Sequence, residues 1–183
     1  MNTKNNKRRK ASRERIESVF YELIQTRELN QITVSDICKR AGLNRTTFYV
    51  NYADVYALAD TVRLSLENAM DEMYREDRER GVNSNDYLRL FCHIAENQML
   101  YKTYFKLGYD QEQKIVRYDT QLAKAHFDNR FVEYHCEFFK GGLNAIIKMW
   151  LAGGCRETPE ELYEVIQTEY RGRLHGISLS SEE

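Results

Sequence analysis

The stretch that most constrains the fold is residues 33–52, TVSDICKRAGLNRTTFYVNY, which predicts two short helices joined by a tight turn. Thr33 and Asp36 have the spacing of a capping box, which satisfies free backbone N–H groups where a helix begins. Gly42 follows at a helix end, where a positive φ is favoured. Asn44 is a good N-cap for the second helix. The pattern is therefore typical of a helix-turn-helix.

The second helix begins with a cation and two hydroxyls, Arg45-Thr46-Thr47, and its Phe48 is expected to face the core. Such donors suit phosphate oxygens and base edges, and a helix N-terminus itself attracts phosphate. The alternative is an ordinary helix pair in a small bundle. Because spacing, caps and exposed donors agree, the sequence favours DNA binding.

The flanking segments resemble those of a known family. Ser12 to Glu28 repeats apolar residues at helical spacing, starting from Ile16, and a longer amphipathic helix follows Asp54. With the Thr33-to-Leu43 run and Thr47-Phe48-Tyr49, these segments resemble the N-terminal domain of TetR/AcrR transcriptional regulators. The chain departs from that pattern at Val55, where the family commonly has a lysine. The resemblance implies DNA contacts from Thr33, Arg45, Thr46, Thr47, Tyr49, Val50 and Asn51.

The chain opens with the basic run KNNKRRK at residues 4–10. One interpretation is an arm that reaches an adjacent groove or the DNA backbone through Arg8, Arg9 and Lys10. The other is a solubilising tail.

Charge is divided between the two parts of the chain. Residues 1–52 hold 11 Lys+Arg and 5 Asp+Glu, a net charge of +6, whereas the remainder holds 16 and 23, a net charge of −7. A positive head on a negative body orients a protein on a polyanion and limits non-specific binding by the rest.

Composition indicates the fold class. The 183 residues include one proline and nine glycines, and the long stretches without turn signals predict an all-α chain. Without a spanning apolar run or signal segment, we expect a cytoplasmic protein with no membrane partner. The four cysteines are far apart and are expected to be reduced thiols.

Two helices are predicted near the C-terminus, at 127–152 and 159–175. The first is apolar nearly all round and contains Gly141-Gly142, where close approach by another helix is expected. The second begins at a Thr158-Pro159-Glu160-Glu161 cap. These resemble the dimerisation helices of TetR-type proteins, although an internal core is the alternative. The predicted homodimer interface comprises Phe139, Gly142, Leu143, Ile146, Trp150, Leu162, Val165 and Ile166.

The second half is also rich in aromatic residues. They predict either a pocket for a small hydrophobic inducer or a solid core with no cavity. The predicted pocket residues are Phe91, Tyr101, Tyr104, Phe105, Tyr118, Phe131 and Tyr134. No enzyme motif is present, and neither a metal nor another cofactor is expected.

The prediction is an all-α protein with an N-terminal three-helix DNA-binding domain and a C-terminal helical ligand-binding and dimerisation domain. The function is a dimeric regulator on a palindromic double-stranded operator, acting as a repressor released by a small ligand. The alternative is a TetR-like coactivator or adaptor that binds a protein partner and no small ligand. The predicted boundaries are 1–11 (basic arm), 12–53 (helix-turn-helix domain), 54–80 (connecting helix), 81–176 (ligand and dimerisation domain) and 177–183 (tail).

Overall fold

The computed structural model describes residues 4–75, 87–112, 124 and 127–175. The described residues are helical with no strand, which confirms the all-α prediction. The helices are α1 (Lys4–Thr26), α2 (Val34–Ala41), α3 (Arg45–Tyr49), α4 (Val55–Met73), α5 (Tyr87–Glu96), α6 (Gln98–Lys106), α7 (Tyr109–Glu112), α8 (Val132–Ala152) and α9 (Pro159–His175). None of the described helices is both long enough and apolar enough to cross a bilayer.

The described residues divide into two compact units. One contains those of 1–76 and 99–115, and the other contains those of 77–98 and 116–183. The described part of this segment, residues 99–112, thus groups with the N-terminal helices, although the predicted boundaries include it in the C-terminal domain. The predicted linker at 81–86 and most of the predicted helix at 111–125 lie outside the described residues.

The first unit is built around α1, whose Ile16, Phe20 and Leu23 are buried. The helix starts at Lys4 rather than at Ser12, so the basic run is continuous with it. This follows from composition, because lysine and arginine favour helix and neither glycine nor proline separates the run from the amphipathic part.

Helix α4 begins as the sequence predicts, with the Asp54 side chain accepting a hydrogen bond from the Ala57 N–H at 2.7 Å. Its Leu58, Val62 and Leu66 are buried in the same unit. Val55 is also buried, so at this position the chain presents no surface group to a phosphate.

In the second unit, α9 packs on α5, and Trp150 of α8 meets Phe91 edge-on with ring centroids 5.9 Å apart. The capping box at the start of α9 is confirmed, since the Thr158 and Glu161 side chains each accept from the other's backbone N–H. The predicted start of α8 at residue 127 is wrong. Asp128, Asn129 and Phe131 have positive φ, which interrupts a helix, and α8 begins only at Val132.

Candidate nucleic-acid interface

The helix-turn-helix has the local geometry that its sequence predicts. The Thr33 hydroxyl accepts from the Asp36 N–H at 3.1 Å, and the Asp36 carboxylate accepts from the Thr33 N–H at 3.3 Å. Gly42 ends α2 with φ +64°, and the Asn44 side chain accepts from the Thr47 N–H at 2.7 Å. Hydrogen bonds between residues close in sequence therefore stabilise the start of α2, the end of α2 and the start of α3.

Two ionisable side chains in α2, Asp36 and Cys38, have shifted pKa values. Hydrogen bonds from the Thr33 side chain and backbone lower the pKa of Asp36, and Arg27 lies 3.4 Å from the same carboxylate. The charged carboxylate lies in the first turn of α2, where a helix favours an anion. Burial raises the pKa of the Cys38 thiol on the inner face of that helix, so this cysteine is a packing residue.

Helix α3 is anchored by one aromatic side chain. Phe48 has no exposed surface, and its ring lies 5.7 Å from that of Tyr52, which is also buried. Tyr49 and Val50 are 57% and 59% exposed, and Arg45 and Thr46 are exposed as well. The helix therefore buries one face and presents a cation, hydroxyls and an apolar group on the other.

The predicted DNA-contact residues differ in how many of their polar groups already form hydrogen bonds within the protein. The Thr47 hydroxyl donates to the Asn44 side chain at 2.8 Å, and the Thr33 hydroxyl donates to Asp36 at 2.8 Å, so both donors already serve the caps. The Arg45 guanidinium donates to the Ser35 hydroxyl of α2 at 3.1 Å. Sequence reasoning missed Ser35, because its link to Arg45 depends on how α2 and α3 cross.

The basic run lies beside the end of α3. Arg9 donates from Nε to Asn51 Oδ1 at 3.4 Å and from Nη2 to the Val50 carbonyl at 3.3 Å. Arg8 and Lys10 are exposed, and Lys10 lies 3.8 Å from Glu14. The structure thus brings together Arg9, Val50 and Asn51, three residues of the predicted DNA-contact set.

A second hydrogen bond connects α1 to the residues after α3. The Tyr52 hydroxyl donates to Glu17 at 2.6 Å, and Arg13 lies 3.2 Å from the same carboxylate. Burial, followed by the bond to Glu17, raises the pKa of Tyr52, so the phenol stays protonated and keeps donating. Sequence reasoning missed Glu17, since no local motif marks it.

The predicted ligand-binding residues differ in how deeply they are buried. Phe91, Tyr101 and Tyr104 are fully buried, whereas Phe131 and Tyr134 are exposed. Phe105 is half-buried, and Tyr118 lies outside the described residues. Tyr104 donates its hydroxyl to the Tyr109 carbonyl at 3.1 Å, and burial raises the pKa of both Tyr101 and Tyr104. The ligand set stays a prediction.

The predicted interface residues fall on two sides of their helices. Leu143, Trp150, Leu162 and Ile166 are buried within one chain, which leaves little of their surface for a second copy. Phe139 and Ile146 are partly buried, while Gly142 and Val165 are exposed.

Helix α8 has an exposed apolar face that contains Gly142 of the predicted interface set, while its other residues lie outside that set. Phe138 and Met149 are 63% and 70% exposed, and both lie on the helix face opposite the buried residues. A Cβ added at Gly141 or Gly142 would meet nothing within 4 Å in the described structure. The close approach expected at these glycines is therefore not made by the residues that the structure describes. We refer below to Tyr134, Phe138, Gly142, Ala145 and Met149 as the α8 outer face.

The fold and the interface define an all-helical helix-turn-helix protein with an attached C-terminal helical region. Comparisons with known proteins agree. Residues 84–170 match the family TetR_C_8, described as "Transcriptional regulator C-terminal region". The chain is 28% identical over 122 residues to the HTH-type dhaKLM operon transcriptional activator DhaS of Lactococcus lactis subsp. lactis (strain IL1403). That match covers 66% of this chain and 64% of the relative's length.

Two solved structures are similar as well. The fatty acid degradation regulator FadR from Bacillus halodurans has a TM-score of 0.56 at 14% identity, over 86% of this chain and 93% of that one. The dihydroxyacetone kinase operon activator DhaS has a TM-score of 0.46 at 22% identity, over 88% and 95%. FadR shares the fold. The C-terminal part of the chain, residues 84–170, resembles the C-terminal region of transcriptional regulators.

Proposed function

We propose that this protein binds a specific double-stranded DNA sequence through α3, as one half of a homodimer. The observation that carries the proposal is that α3 has one buried side and one exposed side. Phe48 fixes the helix to the core, while Arg45, Thr46, Tyr49 and Val50 face outward. A helix of this kind fits the major groove, where such side chains contact phosphates and base edges. The positive charge of residues 1–52 supports the same function.

The proposed partner in the dimer is a second copy of this chain, docked on the α8 outer face. Large apolar side chains exposed along one side of a long helix favour burial against another protein. Gly142 leaves room for the backbone of a second helix, and the family match at 84–170 includes this helix. Two helix-turn-helix domains related by a twofold axis bind a palindrome whose half-sites are roughly 34–36 Å apart, or a multiple of that distance.

Selection of bound fragments from genomic DNA tests the DNA-binding step. We expect enrichment of a palindromic site, and Arg45→Ala is expected to weaken binding to that site by ~1–3 kcal/mol while relaxing preference at one base pair. Ser35→Ala, which removes only the partner of Arg45, is expected to have a smaller effect in the same direction. Equal binding of the wild-type protein to every duplex in moderate salt would contradict the proposal.

Sedimentation of Gly142→Leu tests the dimer. Since nothing in the described part of the chain lies within 4 Å of a Cβ added at this position, a leucine fits beside the described residues, but it blocks a closely packed second helix. Ser65→Leu on α4 is the control, because it places the same side chain at another exposed helical position. We expect a monomer for Gly142→Leu and a dimer for the control. A Gly142→Leu dimer of unchanged affinity would place the interface elsewhere.

The sign of regulation has two candidates. Repression released by a hydrophobic ligand is the prediction from the sequence, and activation is supported by the 28%-identical relative, which is named as an operon transcriptional activator. The coactivator alternative is not favoured by the comparisons. A reporter placed under the selected site distinguishes the first two, because removing the protein raises expression under a repressor and lowers it under an activator.

A further inference from the structure

Within the basic run, Arg9 contacts Val50 and Asn51, the two residues that follow α3. Its Nε donates to the Asn51 side chain and its Nη2 donates to the Val50 carbonyl, although 42 and 41 positions separate these residues from Arg9 in the chain. One guanidinium therefore reaches a side chain predicted to lie near base edges and the backbone beside it.

The amide of Asn51 is held from both sides. Its Nδ2 donates to the Thr47 carbonyl at 2.8 Å, while its Oδ1 accepts from Arg9. An asparagine reads a base by presenting a donor and an acceptor in a given order, so the direction of its amide determines which base edge it matches. Arg9 is thus placed to fix that direction.

The Val50 carbonyl lies just after the last residue of α3. This helix has only five residues, and the last carbonyls of any helix have no partner within it. A cation that donates to such a carbonyl also interacts favourably with the negative end of the helix dipole. Arg9 therefore caps the C-terminal end of α3 at the same time as it orients Asn51.

Arg9 is itself held in place by α1. Arg13 and Glu17 follow it at intervals of four residues on the same helical face, and Glu17 accepts the hydrogen bond from buried Tyr52. The face of α1 that carries Arg9 is thus fastened to the residue immediately after Asn51. This connection makes the position of Arg9 relative to α3 well defined.

We propose that Arg9 is a positioning residue that sets the base preference of Asn51. It does more than add one cation among several that neutralise phosphates. The proposal rests on the proposed function, because it concerns the DNA site that α3 reads. Arg8 provides the contrast, since it is the exposed neighbour in the same basic run.

The test separates charge from geometry. Arg9→Lys keeps the positive charge but loses the planar fork that makes two directed bonds. Affinities of the full-length protein for the selected site and for its single-base variants are measured over a range of salt concentrations. The proteins compared are wild type, Arg9→Lys, Arg9→Ala and Arg8→Ala, with circular dichroism to confirm that each is folded.

For Arg9→Lys we expect discrimination at the base pair read by Asn51 to fall about 5- to 10-fold, with an unchanged salt dependence. For Arg8→Ala we expect uniformly weaker binding to all duplexes and a salt slope that is shallower by about 1, with discrimination retained. In an Asn51→Ala background, Arg9→Lys is expected to have no further effect on discrimination.

Wild-type discrimination in Arg9→Lys, together with uniform weakening in Arg9→Ala, would overturn the proposal and make Arg9 a phosphate contact. A loss of discrimination by Arg9→Lys that persists in the Asn51→Ala background would also overturn it. If the wild-type protein selects no duplex at all, the proposed function fails and this inference fails with it.

Discussion

Phe48 and Phe138 show how differently the two units use the same side chain. In α3 the Phe48 ring is completely buried, whereas in α8 the Phe138 ring is 63% exposed. The N-terminal unit thus buries the aromatic side chain that anchors α3 and exposes Arg45 and Thr46 on the same helix. The C-terminal unit instead exposes large apolar side chains on the α8 outer face, which is the surface that we propose for dimerisation.

The largest expected effect comes from removing the buried ring. Phe48→Ala should lower the free energy of unfolding by ~3–5 kcal/mol, because it leaves a cavity in a packed core. Urea unfolding followed by circular dichroism measures this change. The same substitution at exposed Phe138 should leave the stability of one chain nearly unchanged. A Phe138→Ala monomer as unstable as Phe48→Ala would remove the contrast between the units.

The second effect appears only between chains. Phe138→Ala should weaken dimerisation by about 2 kcal/mol or more, because large aromatic residues at the centre of an interface carry much of its binding energy. Sedimentation equilibrium of the wild type and the variant over a range of protein concentrations gives the two dissociation constants. Lys148→Ala, at an exposed position beside the α8 outer face, serves as the control and should change the constant less. Equal constants for all three proteins would mean that this face does not bind a second copy.

The third effect compares one motif in both units. Thr33 and Thr158 each form a capping box, so Thr33→Ala and Thr158→Ala should each lower stability by about 1 kcal/mol. Only Thr33→Ala should also reduce DNA affinity, because α2 supports α3. Thermal unfolding and DNA titration of both variants measure the two quantities. A similar loss of DNA affinity in Thr158→Ala would contradict the assignment of DNA binding to the first unit.

The smallest effect is a pH dependence in the second unit. Burial lowers the pKa of His93 below the ordinary imidazole value. Because the unfolded chain then binds the proton more readily, the free energy of unfolding should fall as the pH drops from the ordinary histidine pKa towards the lower folded value. His93→Gln should flatten this part of the stability profile, while the same change at exposed His135 should retain it. Identical slopes for wild type and His93→Gln would rule out this role.

Much of the first unit was predictable because its signals are local. The Thr33–Asp36 box, Gly42 with positive φ, the Asn44 cap and buried Phe48 were all expected from the sequence and are confirmed. Each of these features depends on residues no more than about four positions away, and a short-range hydrogen bond or helical period expresses it directly. The start of α9 at Pro159 was predictable for the same reason.

The remaining features depend on how helices cross. The pairing of Arg9 with Asn51 requires the crossing of α1 and α3, which no local motif encodes. Helix α8 is apolar nearly all round, so its sequence does not indicate that Leu143 is buried and Phe138 exposed. By itself the sequence determined most of the helices, the caps of α2, α3, α4 and α9, and the burial of Phe48 in α3. Only the tertiary structure decided where α1 and α8 begin, which side of α8 remains exposed, and which arginine of the basic run contacts the residues after α3. The exposed side of α8 and the arginine contact both depend on packing between distant residues.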